Sequence, residues 1–218
     1  MTTQTTSRKT RVFIADDHAV VRQGMKQILS KTSDLTVVDE AENGQEVLEK
    51  IDKTQPDVLL LDIEMPIHNG WDILTRLKTT HPQLPILIFT MHPEKHYGLR
   101  FLKAGAAGYL NKTSTPDQLV TAIRKVAKGG RFISPQLAEL LVMNLDDDPK
   151  KPLHDSLTDR EFQVFGMIAK GEKLKDIAKK LSLSATTVST HRARILAKLK
   201  IKNNADLIRY AVHWKLTP

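Results

Sequence analysis

Asp16 and Asp17, Asp62, Thr90 and Lys112 are the residues of this 218-residue chain whose types best suit chemistry, and each closes a short apolar run. The runs are 12–15, 58–61 and 86–89, with the weaker pair Tyr109 and Leu110 as the fourth. Three carboxylates brought together without a cation would repel one another and disfavour ionisation of the cluster. A hard divalent ion such as Mg²⁺ removes that conflict, since it takes one or two carboxylates and keeps waters or phosphate oxygens for its other positions. It also neutralises an incoming phosphoryl group, so that one carboxylate can attack phosphorus. Thr90 offers a hydroxyl donor to a phosphoryl oxygen, and Lys112 offers a point charge to another. Acid, metal, hydroxyl and amine together make a phosphoryl-transfer set.

Nearly a hundred positions separate Asp16 from Lys112, so the fold must gather these residues. The first three runs are unbroken rather than alternating, which suits strands buried on both faces of a parallel sheet. In an open parallel sheet the carboxyl ends of the strands border the ligand crevice, so residues closing successive strands converge there. Helical patterns fill the intervals at 19–31, 45–53, 70–80, 94–104 and 116–128, and a weaker strand lies at 35–41. Five βα units result: an α/β doubly wound domain with a five-stranded parallel sheet and right-handed crossovers.

Charge divides the chain. Residues 1–149 carry 18 Lys and Arg against 19 Asp and Glu, whereas residues 150–218 carry 15 against 6, so the whole formal excess of +8 is C-terminal. A basic segment of this kind points to a polyanion, with double-stranded DNA ahead of an anionic membrane. Residues 1–10 read as a flexible tail, 11–130 as the α/β domain, 131–156 as a helix and interdomain linker, and 157–218 as a small all-α domain. The linker reading rests on Asp146 to Pro152, which offers nothing apolar to bury. The absence of cysteine removes disulfides and thiolate metal sites. No apolar run reaches membrane-spanning length, so a soluble cytoplasmic protein with no membrane partner is expected.

The C-terminal segment reads as four helices at 159–169, 174–181, 185–199 and 205–214, with Thr158 and Glu161 as a capping box and Ser184 as a cap. The break 182–184 has the length of a helix-turn-helix. On a helical wheel Val188, Ile195 and Leu199 fall together as core. The opposite face presents Thr186, Ser189, Thr190, Ala193, Arg194 and Ala197, small or hydrogen-bonding side chains that suit a major groove. Thr187, Arg192, Lys198, Lys200 and Lys202 lie around it, and the cations suit phosphate contacts.

Asp16-Asp17-His18, Asp62-Ile63-Glu64-Met65-Pro66 with Gly70, then Thr90, then Tyr109-Leu110-Asn111-Lys112 resemble, in that order, the receiver domain of bacterial two-component response regulators over residues 11 to about 130. The resemblance implies a flavodoxin-like fold in which Asp62 accepts phosphate from a sensor histidine kinase. It further implies that Asp17 and Asp62 hold Mg²⁺ with the backbone carbonyl of Glu64, that Asp16 acts through metal-bound water, and that Thr90 and Tyr109 form a switch pair. His18 and His92 read as pocket rim rather than metal ligands. Leu157-Thr158-Asp159-Arg160-Glu161, Gly171, Asp176-Ile177-Ala178, Leu181, Thr187-Val188-Ser189-Thr190-His191 and Lys198-Leu199 resemble the four-helix LuxR-type DNA-binding domain. Together the two halves resemble the NarL/FixJ class: a transcription regulator, not an enzyme, that forms a homodimer when phosphorylated. In that class the last helix pairs two protomers, which assigns Leu207, Ile208, Ala211 and Val212 to a seam. Members often carry Lys where Ser189 and Ala193 stand here, so base reading falls to Ser189, Thr190 and Arg194.

Two other readings compete. A Mg²⁺-dependent phosphatase or phosphotransferase with an aspartyl-phosphate intermediate would use the same groups, but its usual motif spaces nucleophile and acid two residues apart at the first strand end. Here the acids are adjacent and the best nucleophile follows the third strand. A receiver used for dimerisation without phosphate is disfavoured, because no pocket residue is missing.

Overall fold

A computed structural model describes residues 8–143, 152–181 and 183–216. Most of the tail and nearly all of the linker expected from the sequence therefore lie outside the described residues. Two compact units divide the chain: one contains residues up to Glu94 and 101–135, the other residues 95–100 and everything from Gln136.

The first unit is built on five parallel strands, β1 (Thr10–Ala15), β2 (Leu35–Ala41), β3 (Val58–Leu61), β4 (Ile86–Thr90) and β5 (Gly108–Asn111), in the order β2-β1-β3-β4-β5. Burial explains the unbroken apolar runs, since β3 and β4 are buried at every residue. At the edge, β2 is buried only at its two ends, and half-exposure explains its weaker pattern. Strands alternate with α1 (Ala19–Ser30), α2 (Gly44–Thr54), α3 (Gly70–Thr80), α4 (Glu94–Lys103) and α5 (Pro116–Ala127). One sheet face sends Val12, Ile14, Val58, Leu60 and Leu87 into a core with Met25 and Leu29 of α1 and Leu119, Ile123 and Val126 of α5. The side chains between them, including Phe13, Leu59 and Leu61, are buried as well, as a sheet covered on both faces requires.

Helix starts are specified locally. Asn43 and Asn69 accept from the third backbone N–H of α2 and α3, and Thr115 with Gln118 closes a capping box on α5. Gly70 is required by contact: a Cβ there would lie 2.2 Å from the carbonyl oxygen of Asp62. The start of α3 thus packs against the backbone of the candidate phosphoacceptor.

In the second unit α6 (Pro135–Met143) and a 3₁₀ turn, Leu153–Ser156, precede α7 (Asp159–Ala169), α8 (Leu174–Lys180), α9 (Ala185–Leu199) and α10 (Asn204–His213). The 3₁₀ turn has no apolar periodicity to betray it in the sequence. Leu157, Phe162, Phe165, Ile168, Ile177, Val188, Ile195, Leu199 and Leu207 are among the core residues. The Thr158–Glu161 capping box and the Ser184 cap form as expected.

Candidate phosphoryl pocket and nucleic-acid face

Residues 16–18, 62–64, 90–92 and 111–112 stand at or just past the carboxyl ends of adjacent strands, and the sheet brings them together. Asp16, Asp62 and Thr90 are 1%, 3% and 1% exposed. Lys112 Nζ lies 2.6 Å from Asp16 Oδ2 and 2.8 Å from Asp62 Oδ2, so one ammonium bridges two buried carboxylates. The other oxygen of Asp62 accepts from the Ile63 N–H at 2.7 Å. Asp17, at the pocket's open side, pairs with His18 Nδ1 at 2.7 Å. Burial pushes the Asp62 carboxyl above its usual range, against the opposing pull of Lys112, and Asp16 adds to the rise. For Lys112 burial opposes the charge, but Asp62 and Asp16 hold its pKa up. One cation thus serves two acids, and Asp62 remains under-compensated.

Ligand atoms of Asp16, Asp17, His18 and Asp62 all lie within 4.8 Å of one another. This donor set fits a divalent ion: oxygen-rich, anionic beyond what Lys112 neutralises, and open to solvent on the Asp17 side. His18, read from sequence as rim, joins the group.

The pocket carries a network that residue spacing did not disclose. His92 Nε2 meets Glu64 Oε1 at 2.9 Å, joining the loops after β3 and β4. The buried Tyr109 donates its hydroxyl to the His92 carbonyl at 3.0 Å, and the Thr90 hydroxyl accepts from the His92 N–H at 3.4 Å. Thr90 and Tyr109 are therefore joined through one main-chain residue. Arg22 Nη1 donates to the Asp16 carbonyl at 2.7 Å and fixes the end of β1; its position on α1 gave no separate signal of this.

On the second unit, Thr186, Ser189, Thr190, Ala193, Arg194 and Ala197 form an exposed strip of α9 opposite the buried Val188, Ile195 and Leu199. Thr187 is half-buried, and its hydroxyl lies 2.8 Å from that of Ser184 at the helix start. Arg192 donates to Asn204 at 2.6 Å. Lys198, assigned from sequence to phosphate, instead donates to the buried Glu161 at 2.7 Å and to the Ser156 carbonyl at 3.0 Å. It ties α7 to α9, because a buried carboxylate must find a cation. The α10 seam also needs correction. Leu207 and Ala211 are fully buried in the domain core and offer no surface to a second chain, whereas Ile208 and Val212 are exposed.

Residues 12–124 match the family described as response regulator receiver domain, and residues 155–211 match the bacterial regulatory proteins of the luxR family. The oxygen regulatory protein NreC of Staphylococcus carnosus is 36% identical over 213 residues, covering 94% of this chain and 98% of that protein. The response regulator GacA of Pseudomonas protegens is 39% identical over 202 residues, covering 93% and 95%. A solved structure of the RcsB response regulator of Salmonella typhimurium aligns with TM-score 0.78 and 26% identity over 94% of this chain and 98% of that one. Another, of RcsB from Salmonella enterica serovar Typhimurium bound to promoter rprA in the presence of the phosphomimetic BeF₃⁻, aligns with TM-score 0.74 and 26% identity over 94% and 99%. With a receiver pocket on a five-stranded parallel sheet and a luxR-type helical domain after it, the chain belongs to the NarL/FixJ class of two-component response regulators, which are DNA-binding transcription regulators.

Proposed function

We propose that Asp62 is the phosphoacceptor of a cytoplasmic regulator and that its phosphorylation by a sensor histidine kinase controls DNA binding by the α9 face. The carrying observation is Lys112, held within 2.8 Å of two buried carboxylates beside Thr90. An Asp62 oxygen attacks the donor's phosphorus; an O–P bond forms, the P–N bond to the donor histidine breaks, and its electron pair returns to nitrogen. Bound Mg²⁺ supplies neutralisation of the phosphoryl charge. Asp17, Asp62 and the backbone carbonyl of Glu64 would hold that ion, and Asp16 would act beside it through water. Lys112 and Thr90 meet phosphoryl oxygens, and the tie from Thr90 through His92 to Tyr109 carries the change outward.

On DNA, Ser189, Thr190 and Arg194 face base edges, with Thr186 and Thr187 at the helix entry and Arg192 beside the backbone. Lys198 contributes by tying α9 to the buried Glu161 of α7. Phosphorylation favours a homodimer whose seam includes Ile208 and Val212. The structure of RcsB with a promoter and a phosphomimetic supports this coupling. Labelling with acetyl phosphate and Mg²⁺ tests the first step: wild type takes up one phosphate and Asp62→Ala takes up none. Equal labelling of both would overturn it. Sustained turnover of small phosphate esters would instead favour the phosphatase reading.

A further inference from the structure

We infer that His18 makes the receiver pocket a site for first-row transition-metal ions of the Co²⁺ and Zn²⁺ class, which compete with Mg²⁺ through an imidazole ligand. This rests on the proposal that Asp16, Asp17 and Asp62 hold a divalent cation, and it adds a donor of different chemistry. The inner wall of the pocket is taken by the ammonium of Lys112, in contact with both Asp16 and Asp62. A cation therefore approaches from the outer side, where Asp17 and His18 stand with side chains 34% and 65% exposed.

The imidazole is placed there by the backbone. The His18 N–H donates to Asp16 Oδ1 at 2.9 Å, and Arg22 grips the Asp16 carbonyl at 2.7 Å, so residues 16–18 are fixed at the mouth. His18 is the N-cap residue of α1, yet its side chain makes no capping hydrogen bond. Its Nδ1 instead lies 2.7 Å from Asp17 and 3.4 Å from Asp16. The ring thus lies among the carboxylates, and all four residues present ligand atoms within 4.8 Å of one another.

Ligand chemistry assigns the ion. Mg²⁺ prefers hard oxygen donors and gains little from imidazole, whereas imidazole with carboxylates suits Co²⁺, Ni²⁺ and Zn²⁺. The same carboxylates serve both kinds of ion, so binding is mutually exclusive. A transition ion held by His18 occupies the position from which Mg²⁺ would assist phosphoryl transfer.

Titration of the full chain with CoCl₂ and with MgCl₂, followed by cobalt d–d absorption and calorimetry, tests this. His18→Asn is the diagnostic variant, since Asn is a favoured N-cap and leaves α1 intact. One Co²⁺ binds per chain and is displaced by excess Mg²⁺; His18→Asn weakens Co²⁺ by about tenfold or more and Mg²⁺ by less than about twofold. Unchanged Co²⁺ affinity in His18→Asn, or Co²⁺ that Mg²⁺ does not displace and that is held only adventitiously at other histidines, overturns the inference. Asp17→Asn separates it from its parent reading. If that variant binds Mg²⁺ like wild type, the divalent-ion assignment of the pocket fails. If Mg²⁺ binding is lost while His18→Asn leaves Co²⁺ untouched, only the imidazole ligand fails.

Discussion

Lys112 balances two carboxylates that are almost wholly removed from water, so its loss is more costly than that of a surface ion pair. Removing one partner of a buried charge cluster typically costs about 3 kcal/mol or more. Lys112→Ala is expected to lower receiver stability by that order in chemical denaturation without divalent ions, and MgCl₂ is expected to restore part of it. Burial already pushes the Asp62 carboxyl above its usual range against the pull of Lys112, so without that cation it rises further in the folded state. The variant's stability is therefore retained at low pH and declines as pH rises through the raised Asp62 value. A variant as stable as wild type, and indifferent to Mg²⁺, would contradict this electrostatic account. The pocket's acids, hydroxyl and amine were legible in the sequence because strand ends of a parallel sheet have one destination. The Glu64–His92 contact and the Arg22 grip on Asp16 were not, because each depends on side-chain reach across loops. Lys198 and Leu207 were misplaced for a related reason: a helical wheel shows which face a residue occupies but not which neighbour covers it.

At the scale of elements, the α3 start and the 3₁₀ turn make separate predictions. Gly70→Ala would drive a Cβ into the Asp62 carbonyl, and backbone cannot yield as a flexible side chain does. Overpacking of this kind costs about 1–3 kcal/mol; acetyl phosphate labelling should fall sharply, while the second unit's helical unfolding transition is unchanged. Normal labelling would show that α3 does not position Asp62. In the second unit His154 is buried beside Tyr210, its Nδ1 3.1 Å from the phenol oxygen. Burial, reinforced by nearby positive charge, depresses its pKa from 6.5 to about 4. The neutral form is the folded form. Stability from this group is thus present above about 6.5 and lost as pH falls toward 4. Denaturation of the second unit followed between those values should show the loss, and His154→Gln should remove it. The sequence disclosed nearly every helix and strand because their apolar periods are strong. It did not disclose the 3₁₀ turn carrying His154, whose order comes from tertiary burial.

At the scale of the whole molecule, charge asymmetry and the exposed seam residues make the remaining predictions. If basic residues of the C-terminal domain contact phosphates, DNA affinity falls linearly with salt on logarithmic axes, by about 0.9 per phosphate neutralised. A flat response would remove that domain's charge from the account. Ile208→Glu with Val212→Glu should leave Asp62 labelling intact while abolishing dimers in sedimentation of the phosphorylated protein; persistence of the dimer would exclude α10. The most direct measurement is DNA binding profiled on the full chain with acetyl phosphate and Mg²⁺, for wild type and Asp62→Ala in parallel. Phosphorylation is expected to tighten wild-type binding at a defined set of sequences and to change nothing in Asp62→Ala. The same DNA profile with and without phosphate in wild type, or an equal gain in Asp62→Ala, would contradict it.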